Sequence, residues 1–259
     1  MYLYETHLHT CQGSACGHST GAEHARYYKE IGYTGIIVTD HFFGGNTAVP
    51  RHLPWKERID WFCSGYEDAL IQGQKIGLDV FFGWEQTFDG DDYLVYGLDK
   101  AYMLAHPDME HWSRKEQYET VHAAGGCVIQ AHPFRMRGYI SAIHLGDRFA
   151  DGVETANAGN TPAQDAYARH FALQHGLYQT CGSDNHRSHE GSSIFGVGLD
   201  SRLGNIHDWV RHVLARRPLT MSGIPNGRWA SAAQEPLIRT FRMNERNERV
   251  EMTGDWRTW

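Results

Sequence analysis

The sequence predicts an α/β fold whose parallel strands close into a barrel. Two observations carry that expectation: short apolar strands alternate with longer helical segments, and strand after strand ends in polar, ligand-type residues. An open doubly wound sheet would gather such residues at one crevice instead.

Tyr2 to Thr6 alternates and is rich in β-formers, then runs into His-Leu-His, so it reads as a strand with a polar end. Residues 20–31 (TGAEHARYYKEI) read as a helix. Ile36 to Val38 form a short apolar run closing on Asp40 and His41, as a buried parallel strand does. A helix over roughly residues 55–75, a strand over 79–84 ending at Glu85, and a strand over 93–96 just after Asp91 and Asp92 follow.

A helix from Arg114 to Ala124 leads to a strand from Cys127 to Gln130 that ends in Ala-His-Pro-Phe-Arg. A strand over 152–155 carries Glu154, a helix spans 162–174, and a strand over 178–181 ends in Gly-Ser-Asp-Asn-His. From about Ile224 the periodicity is lost. The chain therefore divides into a barrel, residues 1–223, and an irregular tail, residues 224–259, expected to pack on the barrel or on a partner.

The length of 259 residues suits one enzyme-sized core. With 41% hydrophobic and 21% charged residues the composition is that of a globular protein. Histidine is the outlier at 17 residues, which favours a metal site. A net charge of −7 disfavours nucleic acid, whose backbone draws on clustered Lys and Arg. Five cysteines without a CxxC pair fit a reducing compartment. No leader-like segment and no bilayer-length apolar run is seen, so the expected location is the cytoplasm, with no membrane partner.

His7 and His9 lie two apart on a strand and so share one face. Alone, such a pair is a weak signal that a solvated strand end also produces. Thr39-Asp40-His41 and Asp184-Asn185-His186 repeat the mixture at other strand ends, with Glu85, Asp92 and His132 in equivalent places. Parallel strands in a barrel bring such ends to one rim, and imidazole plus carboxylate there suits Zn, Mn or Fe.

With HLHT at 7–10, TDH at 39–41, WE at 84–85, AHPF at 131–134 and SDNH at 183–186, the chain resembles the PHP family, named for polymerase and histidinol phosphatase domains. The motifs cover about residues 1 to 220. The resemblance implies a distorted (β/α)7 TIM-like barrel with two or three divalent metals. It implies that His7, His9, Glu85 and Asp184 hold the first metal, that Glu85 bridges to a second beside His132, and that His41 and His186 hold a third. Asp92, in DDYLVYGL, stands where many relatives have a histidine. For a ligand shortly after the His-x-His pair, Cys16 and His18 compete.

Such ions activate a bridging hydroxide and neutralise phosphate charge, so the expected activity is hydrolysis of a small phosphomonoester, histidinol phosphate and nucleotide phosphates being family-level candidates. Arg135 and Arg187, each close behind a motif, are placed to grip a phosphate. Asp40 would orient a ligand or relay a proton, with orientation the stronger role. Alternatives are a phosphodiesterase or nuclease, a PHP-type binding module without catalysis, and a metallohydrolase of the amidohydrolase kind. Oligomeric state is unassigned.

Overall fold

The computed structural model describes residues 1–231 and 236–259. Strand β1 (Tyr2–Glu5) leads to helix α1 (Gly21–Glu30), strand β2 (Gly35–Val38), helices α2 (Trp55–Phe62) and α3 (Ser64–Ile76), and strands β3 (Asp79–Thr87) and β4 (Asp92–Tyr96). Helices α4 (Lys100–Ala105) and α5 (Arg114–Ala123) precede strands β5 (Cys127–Ala131), β6 (Ile143–Leu145) and β7 (Gly152–Asn157). Then come α6 (Pro162–Gln174), β8 (Tyr178–Gly182), β9 (Gly196–Leu199), α7 (Ile206–Leu214) and β10 (Thr220–Ser222). Local sequence sets the helix starts: Thr20, Ser113, Thr161 and Asn205 cap them, reciprocated by Glu23, Glu116, Gln164 and Asp208.

Nine strands form one sheet in the order β10-β9-β1-β2-β3-β4-β5-β7-β8. β1, β2 and β3 are parallel neighbours, as are β5, β7 and β8. The sheet curls until its halves meet. Beyond β1 the chain runs beside the segment that follows β8, with His9 N–H donating to Asn185 O (2.9 Å) and Asn185 N–H to His7 O (3.3 Å). The result is the expected barrel, distorted and nearly closed.

Three strands depart from the all-parallel expectation. β4 runs antiparallel to β3 and β5, because only residues 88–91 join it to β3, and a parallel crossover needs about a dozen residues or more. β9 and β10 add antiparallel at the other edge of β1. The reversal of β4 places its first residue, Asp92, between Thr87 and Ala131, at the rim where its parallel neighbours end. The single helix expected over 55–75 is divided at Cys63 into α2 and α3.

Packing decides which faces turn to the rim. Leu8 is fully buried with Ala25, Tyr28 and Val38, so strand alternation turns His7 and His9 the other way. Trp84 is buried with Phe42, Phe62 and Phe82, leaving Glu85 on the opposite face. Each such large apolar side chain contributes about 1.5–3 kcal/mol, which anchors the ligand-type residues beside it.

The stretch from Ile224, expected to be irregular, contains strands β11 (Thr240–Met243) and β12 (Arg249–Glu251). β11 pairs with β6 and with β12, and Trp256 and Trp259 pack with Phe134, Tyr167 and Phe171. Strands of three or four residues whose partner lies about a hundred residues back leave little periodicity to read. Residues 232–235 of this stretch lie outside the described residues. Among the described residues no helix is long and apolar enough to cross a membrane.

Candidate metal centre

The barrel rim brings together His7 and His9 past β1, His41 past β2, Glu85 in β3, Asp92 at the start of β4, His132 past β5, and Asp184 and His186 past β8. A cavity of about 680 Å³ is lined by Cys16, His41, Asp92, His132, Arg135, Asp184 and His186, with Tyr139 and Ile140 among its outer residues. His7, His9 and Glu85 are fully buried behind these groups.

Glu85 sits at the middle. Its Oε1 lies 3.2 Å from Nε2 of both His7 and His132, and its Oε2 lies 2.7 Å from His41 Nδ1 and 3.5 Å from His9 Nε2. Asp184 Oδ1 is 3.0 Å from His9 Nε2, 3.5 Å from His7 Nε2 and 3.5 Å from His186 Nδ1. Asp92 Oδ2 stands 4.0 Å from His132 Nε2. Its neighbour Asp91 is instead gripped by Arg114 through Nε (2.7 Å) and Nη2 (2.5 Å), which leaves Asp92 as the carboxylate facing the cavity.

The hydrogen bonds behind the rings fix which nitrogen faces forward. Asp40, an acceptor, takes Thr10 N–H (2.6 Å), Thr10 Oγ1–H (2.7 Å) and Ser14 Oγ–H (2.7 Å). Ser14 Oγ has then spent its one proton and accepts from His41 N–H (3.0 Å) and from His9 Nδ1 (3.1 Å). Glu154 Oε1 accepts from His7 Nδ1 (3.1 Å). The Nδ1 of both histidines is therefore the protonated nitrogen in the neutral ring, and both Nε2 lone pairs point forward, 3.0 Å apart.

Two lone pairs at that distance repel unless a proton on one ring or a metal ion lies between them. A separation of 3.0 Å allows both to reach one ion at the ordinary zinc–nitrogen distance of about 2.1 Å. His41 Nδ1 and Glu85 Oε2, both buried, face each other at 2.7 Å. Three groups offer ligand atoms mutually within 4.8 Å: His7, Glu85 and His132; His7, His9 and Asp184; and His9, His41 and His186. This donor set fits a divalent transition metal.

Electrostatics follow the same layout. Burial raises the carboxyls of Glu85 and Asp184, but His41 and His7 around the first, and Arg135 and His7 around the second, hold both well below the carboxylate range. Burial opposes charge on His7, yet Glu154, Asp184 and Glu85 raise it. His9 is pushed down by burial and by the neighbouring His41 and His186. Burial and Glu85 lift Asp92 to about 6. His132 and Asp184 also have positive φ, 29° and 53°. Such backbone costs about 1–3 kcal/mol in a non-glycine residue and clusters at functional sites.

Two expectations, for His18 and Arg187, are corrected, and those for Arg135 and Asp40 are narrowed. His18 is exposed, its backbone N–H bonded to His186 O at 2.8 Å, and Cys16 takes the cavity position beside His41 and His186. Burial raises the Cys16 thiol, but hydrogen bonds with those two rings bring it down to about 6. Arg187 is exposed and does not line the cavity. Arg135 does line it, but its guanidinium already grips Asp184 Oδ2 (2.5 Å), Asn157 Oδ1 (2.7 Å) and Asn160 Oδ1 (2.9 Å). Asp40 orients His9 through Ser14 and does not line the cavity.

Sequence reasoning missed the frame behind the rim. Glu154 holds His7 and accepts from Asn157 Nδ2 (2.9 Å) and His132 N–H (3.2 Å). A carboxylate in the otherwise uncharged run GVETAN needs a buried partner, and that was its legible signal. Asp165 accepts from Asn160 Nδ2 (2.9 Å) and Asn157 N–H (3.2 Å). Arg228, from the tail, donates to Asp165 Oδ2 (2.7 Å), Asn160 O (2.7 Å) and Asn157 O (3.0 Å). No local pattern marks that contact.

No protein-family model and no curated protein matches this chain in sequence. Its fold is similar to that of solved structures. A protein from Bifidobacterium adolescentis, provisionally named a metal-dependent phosphoesterase, aligns with TM-score 0.51 and 18% identity over 82% of this chain and 96% of that one. A two-domain protein from Bacteroides vulgatus, named for a PHP-like metal-dependent phosphoesterase on prediction, aligns with TM-score 0.59 and 14% identity over 85% of this chain and 64% of that one. An amidohydrolase from Chromobacterium violaceum, solved with sulfate and no metal, aligns with TM-score 0.51 and 16% identity over 84% and 97%. At such identities the likeness is one of fold, and it matches the barrel expected from the five motifs.

Proposed function

We propose that the chain is a metal-dependent hydrolase that cleaves a small phosphomonoester. The observation that carries the reading is the pair of Nε2 lone pairs of His7 and His9, 3.0 Å apart and backed by Glu154 and Ser14, amid two buried carboxylates. His7, His9, His41, Glu85, Asp92, His132, Asp184 and His186 would hold two or three divalent ions. Such ions activate water near neutral pH and neutralise charge on a phosphate.

The chain's own contribution is orientation and charge. Glu154 and the Asp40–Ser14 pair fix the imidazole tautomers, so the ring nitrogens would meet such ions as neutral ligands. Arg135 spends three of its five N–H groups on Asp184, Asn157 and Asn160. The remaining N–H groups would be available to a phosphate oxygen, since Arg135 lines the cavity. A cavity of about 680 Å³ suits a small molecule rather than a polymer strand, and the net charge of −7 also weighs against nucleic acid.

A second reading, amide hydrolysis, is favoured by one feature: Arg135 is the one Lys or Arg among the cavity-lining residues, so a weakly charged substrate is also accommodated. The deciding experiment measures metal content, then assays phosphomonoesters, phosphodiesters and amides with Mn and Zn. Monoester turnover that vanishes in His9→Ala and Asp184→Ala is expected. Undiminished activity in both variants would remove the site assignment.

A further inference from the structure

The residues lining the cavity divide by charge. One set is the metal-facing groups with Cys16 and Arg135, and it includes both lining acids, Asp92 and Asp184. The other set is uncharged: Gly44, Gly45 and Asn46 from the loop after β2, Thr87 and Gly90 at the turn between β3 and β4, and Tyr139 and Ile140 from the loop between β5 and β6. A second anionic group on a substrate would therefore meet no further Lys or Arg among the lining residues and would be repelled by Asp92.

A Cβ on Gly44 would stand 2.6 Å from Thr87 O, and one on Gly45 2.6 Å from Thr87 Oγ1. The loop after β2 thus lies against the end of β3 and offers backbone rather than side chains at these two positions. The loop after β5 is held on both sides of its tip. Arg135 is gripped by Asp184, Asn157 and Asn160, Met136 O accepts from Gln164 Nε2 (3.4 Å), and Arg137 donates to Gly159 O. Ile140 N–H closes a turn on Arg137 O (2.9 Å), and Ala142 and Ile143 are buried beyond it. On that tip Tyr139 is 82% exposed, and among the described residues no hydrogen bond or ring contact engages its side chain. A lone surface aromatic needs no explanation. This one adjoins Ile140 on the cavity wall, four residues and at most about 14 Å of chain from Arg135.

We infer that the substrate is the monophosphate of an uncharged alcohol bearing an aromatic ring, its phosphate at Arg135 and the metal-facing groups and its ring against Tyr139 and Ile140. The inference rests on the phosphomonoesterase reading and adds to it the organic half of the substrate. A ring placed there covers apolar surface and pairs with the tyrosine face or edge. In the reaction one water adds to phosphorus as the ester P–O bond breaks. Its hydroxyl stays on the phosphate and its other proton passes to the leaving oxygen, so the products are inorganic phosphate and the neutral alcohol. Sugar bisphosphates, nucleoside di- and triphosphates and phosphorylated carboxylic acids each bring a second anion and are poor substrates on this account.

The test uses the full chain loaded with Zn or Mn and compares three probes: ethyl phosphate, benzyl phosphate and 4-carboxybenzyl phosphate. The leaving alcohols are of similar acidity, so the probes differ in the ring and then in one charge. Benzyl phosphate is expected to exceed ethyl phosphate in kcat/KM at least about tenfold, and the added carboxylate to lower kcat/KM about five- to tenfold. Tyr139→Ala should shrink the benzyl-to-ethyl ratio about two- to tenfold, chiefly through KM for benzyl phosphate, and Tyr139→Phe should retain it. The wild-type comparison needs no variant to fold. Equal turnover of the ethyl and benzyl esters, a preference for the carboxylated ester, or a ratio that Tyr139→Ala leaves in place would overturn the substrate assignment while leaving the phosphomonoesterase reading intact. Absence of turnover of all three esters with either metal would overturn both.

Discussion

Nε2 of His7 and Nε2 of His9 lie 3.0 Å apart, each ring held from behind by a different element: Glu154 of β7 for His7, and Ser14 of the loop after β1 for His9. Two ring nitrogens are thus preset at a separation that a shared metal ion, or a proton on His7, relieves. Removing a support should therefore act on metal affinity before it acts on fold.

Ser14→Ala removes the acceptor of His9 Nδ1–H and frees the ring to flip. Zinc affinity is expected to fall by about 10–100-fold, with unfolding midpoints of the metal-free protein little changed. Competition titration against a chromophoric chelator measures it; wild-type affinity would count against the tautomer assignment.

Glu154→Gln gives a sharper case, because the amide can present its N–H to His7 Nδ1 and reverse the ring's polarity. A loss of similar size, about 10–100-fold in metal affinity, is expected, with activity restored in part at high metal concentration. An activity loss that excess metal leaves untouched would point to another role.

Gly182 tests the spacing between these groups. A Cβ there would stand 2.6 Å from both Glu154 Oε1 and His7 Cβ, so Gly182→Ala should cost about 1–3 kcal/mol in a urea melt and lower activity as well. An unchanged melt together with full activity would show that the strand ends yield more than their packing suggests.

Glu5 predicts a pH dependence in metal-free protein. Burial lifts its carboxyl to about 7, against hydrogen bonds from Ser183, Tyr28 and His7. With the folded value above the ordinary 4.5, its stabilising contribution is full below that value and is lost as pH rises through about 7, by about 3 kcal/mol at most. Urea melts across that window should show the decline in the wild type and a flatter profile in Glu5→Gln. Identical profiles would reject this role for Glu5.

Arg187→Ala and His18→Ala serve as contrasts. Both side chains are exposed and outside the cavity lining, so steady-state rates within about twofold of wild type are expected, in line with the small effects of surface substitutions. A large drop in either would restore the role that sequence position alone suggested.

Much of the rim was legible because strand geometry is regular. His7, His41, Glu85, His132 and Asp184 all follow or end short buried runs, and parallel strands in a barrel must bring such ends together. The reversal of β4 was also written in the chain: Phe88-Asp89-Gly90-Asp91 is too short for a crossover, and Asp-Gly favours a hairpin. Reading it would have explained why Asp92, at the beginning of a strand, reaches the same rim as residues at the ends of others. Choosing Cys16 over His18 was different in kind, since the two lie in one irregular loop and only its folded path turns one inward. Arg135 carried the right charge at the right place, but its engagement with Asp184, Asn157 and Asn160 depends on three segments far apart in the chain.

Arg228 ties the stretch after β10 to the rim. Its guanidinium is the outermost member of a chain of contacts through Asp165, Asn157 and Asn160 to Arg135 and Asp184. The stretch after β10 is therefore part of the support behind the rim.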